Sequence, residues 1–159
     1  MHQYAFYLHQ DRVRIPNSYL PPPVLTYNPR IKRWILDREY TYFDEGTYIT
    51  VPHGFEFDLA SVPRAVWWAI APFELSIVAP LLHDFLYENG GLLPAHTVQP
   101  YRKYTRREAD WMFLEIMRRE GVAEWKCRVA YNAVRTFGGH VWRGRLSPGE
   151  EHNLQLMPV

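Results

Sequence analysis

The hydrophobic pattern changes its period part-way along the chain. Through residue 58 it is short and strand-like. Gln3–His9 alternates loosely around Tyr and Phe, and Arg12–Ile15 can continue it as a short hairpin. Pro21-Pro22-Pro23 stops regular structure, because three prolines remove three backbone donors and hold the chain extended. Ile31–Phe43 reads as one long strand or two short ones. Trp34, Leu36, Tyr40 and Tyr42 share one phase and Ile31, Ile35 and Phe43 the other, so large side chains on both faces leave the core side open. Asp37-Arg38-Glu39 marks a bulge or a break. Asp44-Glu45-Gly46 is a turn, after which Thr47–Val51 folds back as a hairpin partner. Pro52-His53-Gly54 ends that strand, and Phe55 and Phe57 share a face of a short extended run.

From there the pattern is helical. Ser61 caps and Pro63 opens a short helix over Arg64–Ile70, which Pro72 ends. Glu74–Glu88 predicts a longer apolar helix that bends at Pro80 or truly starts there, and Asn89-Gly90-Gly91 closes it. Leu92–Tyr104 is a polar, proline-bearing loop. Thr105 with Glu108 three residues later predicts a capping box and a helix from Arg106 to Glu120. Gly121 separates this from a last helix over Val122–Phe137, ended by Gly138-Gly139. The expected architecture is α+β, an N-terminal antiparallel sheet packed on a C-terminal helical layer. One domain is expected over 1–145, with a polar tail over 146–159.

Composition sharpens this in three places. At 159 residues, 47% hydrophobic and 22% charged, the chain suits one domain and excludes global disorder. A net charge of +1 argues against a dedicated nucleic-acid binder. Charge is uneven, however: Tyr101–Arg145 holds 11 Lys/Arg against 5 Asp/Glu. That half either leans on phosphate-rich material such as an anionic membrane or simply carries arginines on wet helix faces. A single cysteine, Cys127, excludes an internal disulfide and any cysteine-clustered metal site, and is expected to be a small buried or half-buried thiol rather than a reactive one. No apolar run approaches the length of a membrane span, and no secretion signal is visible at the start.

Candidate chemistry gathers at His83-Asp84-x-x-Tyr87. On a helix His83 and Tyr87 share a face, while Asp84 points about 100° away. The histidine can serve as base or ligand and the adjacent carboxylate can hold a hard cation, or the three are a core histidine, a surface carboxylate and a packed tyrosine. Asp110 shares a face with Phe113, Leu114 and Met117, and a carboxylate there needs a partner. His83 supplies one if the two long helices are antiparallel neighbours; Arg64 or the helix start are the alternatives. Asp58 either caps local backbone or reaches Asp84 through a Ca²⁺ ion. Val66, Trp67, Trp68 and Ile70 make an aromatic-apolar surface for the core, a lipid or a partner. His53, near Asp58 in sequence, reads as an ordinary loop histidine first and a ligand second, and His96, His140 and His152 have no ligand spacing. Phosphate loops, zincin and nucleophile-elbow motifs are absent.

Asp58-x-Ala60-Ser61-x-Pro63-Arg64, His83-Asp84-x-x-Tyr87 and Arg107-x-x-Asp110-x-x-Phe113 together resemble a family of small uncharacterised proteins from phages and prophages. More distantly, His83-Asp84-Phe85-x-Tyr87, Arg107-x-x-Asp110-x-x-Phe113-x-x-x-Met117 and Ala130-Tyr131-x-Ala133-Val134-x-x-Phe137-Gly138 are similar to secreted bacterial phospholipases A2. That resemblance implies two long paired helices with a catalytic set of His83, Asp110 and Tyr87. His83 would activate water, Asp110 would orient His83, and Asp84 with Asp58 would bind Ca²⁺. The cysteine pairs and a glycine-rich calcium loop of that family are missing here, and a strand-rich half is added. The function expected is calcium-dependent hydrolysis, of phospholipid esters first. The alternatives are a non-enzymatic phage virion or assembly component on the same scaffold, and a metal-dependent cell-wall hydrolase. The partners implied are a phospholipid surface or phage structural proteins, and the place of synthesis is the host cytoplasm, with a phage particle as a later location.

Overall fold

The computed structural model describes residues 20–57 and 77–142, and in it the interruption at Asp37-Arg38-Glu39 divides the strands between two sheets. β1 (Leu25–Asn28), β2 (Arg33–Leu36) and β5 (Glu56–Phe57) form one antiparallel sheet in the order β1-β2-β5. β3 (Tyr40–Asp44), β4 (Thr47–Val51) and β6 (Val98–Gln99) form the other, in the order β3-β4-β6. Three helices follow: α1 (Val78–Glu88), α2 (Arg106–Arg119) and α3 (Glu124–Phe137). The α+β class therefore holds, while the single expected sheet is two small ones. The expected elements at Gln3–His9, Arg12–Ile15 and Arg64–Ile70, and the tail 146–159, lie outside the described residues.

The phase of Leu36, Tyr40 and Tyr42 is the buried one, with Trp34 half-buried beside it and Ile31 exposed. The tight turn between β3 and β4 has both central residues left-handed, Glu45 at φ 39° and Gly46 at φ 93°. Such a turn matches the right-handed twist of its strands and closes the register at Asp44↔Thr47. β1 and β6 were not expected. β1 is four residues long and depends on its pairing with β2; β6 is two residues that pair with Tyr48 and Ile49. Neither carries a periodicity long enough to be read locally.

Pro80 is the third residue of α1, where a backbone N–H would have no intrahelical acceptor, so it is accommodated without breaking a bond. α1 is buried on nearly all sides because α2 and β5 pack against it. Gly91, at φ 75°, then bonds Leu86 O through its N–H at 2.9 Å and accepts from Tyr104 N–H at 3.0 Å. A Cβ at Gly91 would lie 1.7 Å from Tyr104 O, so only glycine lets the two ends of the loop close. This closure returns the chain to the end of α1 just before α2 begins. The expected capping box is present: the Thr105 hydroxyl accepts from Glu108 N–H, and the Glu108 carboxylate accepts from Thr105 N–H at 2.7 Å. α2 packs against both α1 and α3.

Cys127 is buried in α3 and its Sγ–H donates to Val122 O at 3.4 Å. Burial pushes the thiol up to about 11, where little thiolate exists at neutral pH. Iodoacetamide at pH 8 should leave the native protein unlabelled and label it once denatured; rapid native labelling would contradict this burial.

Candidate functional site

Asp110 lies one turn into α2, on the face that also carries Phe113, Leu114 and Met117, and it has no exposed surface. A carboxylate so placed survives only if its lost hydration is replaced by donors. Two helices supply them. From α1, His83 Nε2 is 2.9 Å from Asp110 Oδ1 and the Tyr87 hydroxyl donates to the same oxygen at 2.5 Å. From α3, Arg135 Nη1 donates to Oδ2 at 2.7 Å. Asp110 thus ties three helices together. The pairing of His83 with Asp110 and Phe113, and of Tyr87 with Asp110 and Arg106, also makes α1 and α2 antiparallel.

The packing holds the rings still. His83 lies 4.1 Å from the Tyr87 ring and 4.9 Å from Phe113, centroid to centroid. Trp142 meets Tyr87 edge-on at 5.0 Å. Arg106, the first residue of α2, donates from Nη1 to Arg135 O at 3.2 Å, and its charge works against the upward shift of the Tyr87 hydroxyl.

The electrostatics follow from burial and from these donors. Burial works to raise the Asp110 carboxyl, but the bonds from His83, Tyr87 and Arg135 outweigh it and hold the group below its ordinary value. Burial lowers His83, with Asp110 pulling the other way, and the imidazole stays neutral near neutral pH. An ionised Asp110 can only accept, so His83 Nε2 carries the proton and Nδ1 carries the lone pair. Nδ1 is 4.0 Å from Asp84 Oδ1, too far for a hydrogen bond. The basic nitrogen therefore faces the Asp84 edge of the site, and Asp84 is partly exposed there.

Both depressed values predict acid sensitivity. The unfolded imidazole titrates near 6.5 and the folded one lower, so His83 favours the fold above that pH and loses this contribution as pH falls toward the folded value. Asp110 repeats the effect below its unfolded value of 3.8. Urea unfolding at pH 7.5 and pH 5 should show lower stability at pH 5, and His83→Gln should flatten that difference. An unchanged slope in the variant would remove His83 as its source.

Of the residues singled out from sequence, His83, Tyr87 and Asp110 converge, and Asp84 stands beside them. Asp58 and Arg64 lie outside the described residues. Among the described residues no group of three or more His, Cys, Asp or Glu is placed to hold a metal ion. His53, His96 and His140 are exposed. Sequence reasoning missed Arg135, Arg106 and Gly138. A carboxylate on an apolar face did call for a partner, and Arg135 borders the buried Cys127–Ala130–Val134 stripe of α3. Several other arginines of the basic half are paired: Arg102 with Glu108, Arg118 with Glu115 and Glu124, and Arg128 with Glu124. No helix among the described residues is long and apolar enough to cross a membrane.

A family model described as "Protein of unknown function (DUF1353)" matches residues 34–134. That span contains Asp58, His83, Asp84, Tyr87 and Asp110, and it stops one residue short of Arg135. A curated relative, "Uncharacterized protein y4jT" of Sinorhizobium fredii (strain NBRC 101917 / NGR234), is 30% identical over 106 residues, covering 65% of this chain. The aligned region is 28% of that relative's length. No solved structure matches.

Proposed function

The chain belongs to the DUF1353 family, and from that premise and the geometry around His83 we propose that it is a hydrolase of ester bonds, phospholipid esters first. The observation that supports this is the division of labour on one imidazole. Buried, ionised Asp110 accepts the hydrogen bond from Nε2–H, which leaves Nδ1 as the basic atom at the Asp84 edge. Water placed there gives a proton to Nδ1 while its oxygen bonds to the ester carbonyl carbon. The tetrahedral intermediate then breaks its bond to the alcohol oxygen, and the imidazolium returns the proton to that leaving group. Asp110 stabilises the imidazolium and holds the ring, and Tyr87 and Arg135 hold Asp110.

Phospholipase A2-like helices and a phage or prophage origin belong to the same proposal, as does Ca²⁺ at Asp84 and Asp58. Of that pair only Asp84 is among the described residues, where no group of three or more His, Cys, Asp or Glu is placed to hold a metal ion. Cell-wall ester or amide bonds are the alternative substrate for the same base.

A second reading has its own support. His83 is only 5% exposed, and Trp111, Trp125 and Phe137 are exposed on the helices. A closed, satisfied polar network with aromatic outer faces suits a non-enzymatic component that docks on phage structural proteins.

Hydrolysis of mixed phospholipid vesicles and of cell-wall fragments, with and without a calcium chelator, separates these readings. The enzyme reading expects turnover by the parent and its loss in folded His83→Gln; sensitivity to the chelator adds the cation. A parent silent on both substrates, with a variant that only melts earlier, favours the component.

A further inference from the structure

Gly138 follows the last turn of α3 with φ −74° and ψ −15°, a right-handed conformation open to any residue. Its backbone gives no reason for glycine. The reason is contact: a Cβ at 138 would lie 2.6 Å from Tyr87 Oη, 3.0 Å from Cε1 and 3.2 Å from Cζ. Tyr87 is packed by two other rings. Its ring is against His83 on one side and the edge of Trp142 on another. Trp142 is itself held by the turn Gly138–His140, its N–H donating to Gly138 O at 3.2 Å. The hydroxyl donates to Asp110 Oδ1, the oxygen shared with His83 Nε2.

We infer that Gly138 is a positioning residue for the His83–Asp110 pair, acting through Tyr87. The missing side chain lets the Tyr87 hydroxyl close on Asp110 Oδ1, and that bond fixes the oxygen that His83 Nε2–H meets. The end of α3 therefore governs both carboxylate oxygens, Oδ2 directly through Arg135 and Oδ1 indirectly through Gly138. The catalytic meaning of this rests on His83 being the base; the mechanical coupling does not.

The test is a double-mutant cycle of Gly138→Ala and Tyr87→Phe on the full chain. Two readouts are used: the thermal midpoint, and the His83 ring N–H resonance in ¹⁵N-labelled protein, assigned by its loss in His83→Gln. Overpacking at a site with no backbone strain should lower the midpoint of Gly138→Ala by about 3–10 °C. The His83 resonance should shift or broaden in the same variant. In the Tyr87→Phe background the hydroxyl is gone, and at least half of the midpoint loss should disappear. Ile49→Val, a buried change in the β3-β4-β6 sheet, should lower the midpoint without moving the resonance.

If Gly138→Ala does not fold, a folded double variant still supports the inference, and a double variant that also fails to fold overturns it. Additive midpoints, or a folded Gly138→Ala with an unmoved His83 resonance, overturn it as well. Vesicle hydrolysis on the same variants keeps the two questions apart. A silent parent with coupled midpoints removes the catalytic reading and leaves the positioning; an active parent with additive midpoints does the reverse.

Discussion

Asp110→Ala should lower folding stability by about 3–5 kcal/mol, nearer the lower figure because Arg135 is 32% exposed and can turn to water. The carboxylate is fully buried and accepts from three side chains on two other helices. Alanine removes the acceptor and leaves the donors. The His83 Nε2–H and the Tyr87 hydroxyl are enclosed and keep their desolvation cost with nothing to offset it. For a chain of this length the loss corresponds to a melting shift of about 6–20 °C. Asp110→Asn keeps the volume and one acceptor oxygen but not the charge that answers Arg135, so it should fall between the parent and alanine. Urea titration with an unchanged slope in denaturant is the measurement. A loss below about 1 kcal/mol for alanine would mean that the three donors find water easily, and that the network is peripheral to the fold.

His83→Gln should reduce hydrolysis by about 10²–10⁴-fold while the protein stays folded. Glutamine has nearly the reach of histidine, and its amide can donate to Asp110 in place of Nε2–H. What it cannot do is accept a proton from water near neutral pH and return it to a leaving group. The loss should therefore be in turnover rather than in substrate affinity, because the residue acts on the transition state. Circular dichroism and the melting curve confirm the fold in the same samples. An active parent with an equally active folded variant would sink the general-base role even if the substrate were right.

Some of this was set by sequence alone, wherever the controlling interactions are a few residues apart. Thr105 and Glu108 close their own box at the start of α2, and the Glu45-Gly46 turn closes its own hairpin. Asp110 is placed on the apolar face by helical spacing, and His83 and Tyr87 share a side of α1 for the same reason. Those local facts were enough to bring His83 and Asp110 to each other once the two helices ran antiparallel. The tertiary structure decided the rest. It chose which phase of Trp34–Phe43 is buried, because both faces carry large side chains and only the layer above can choose. The same structure split the strands into two sheets and made β6 out of two loop residues, since pairing between residues as far apart as Tyr48 and Gln99 leaves no local trace. Arg135 and Gly138 came to the site from a third helix. A buried carboxylate announces that it needs a partner, but which arginine answers, and which glycine leaves room for the tyrosine between them, depends on how α3 crosses α2, and that is fixed by the packing of side chains far apart in the chain.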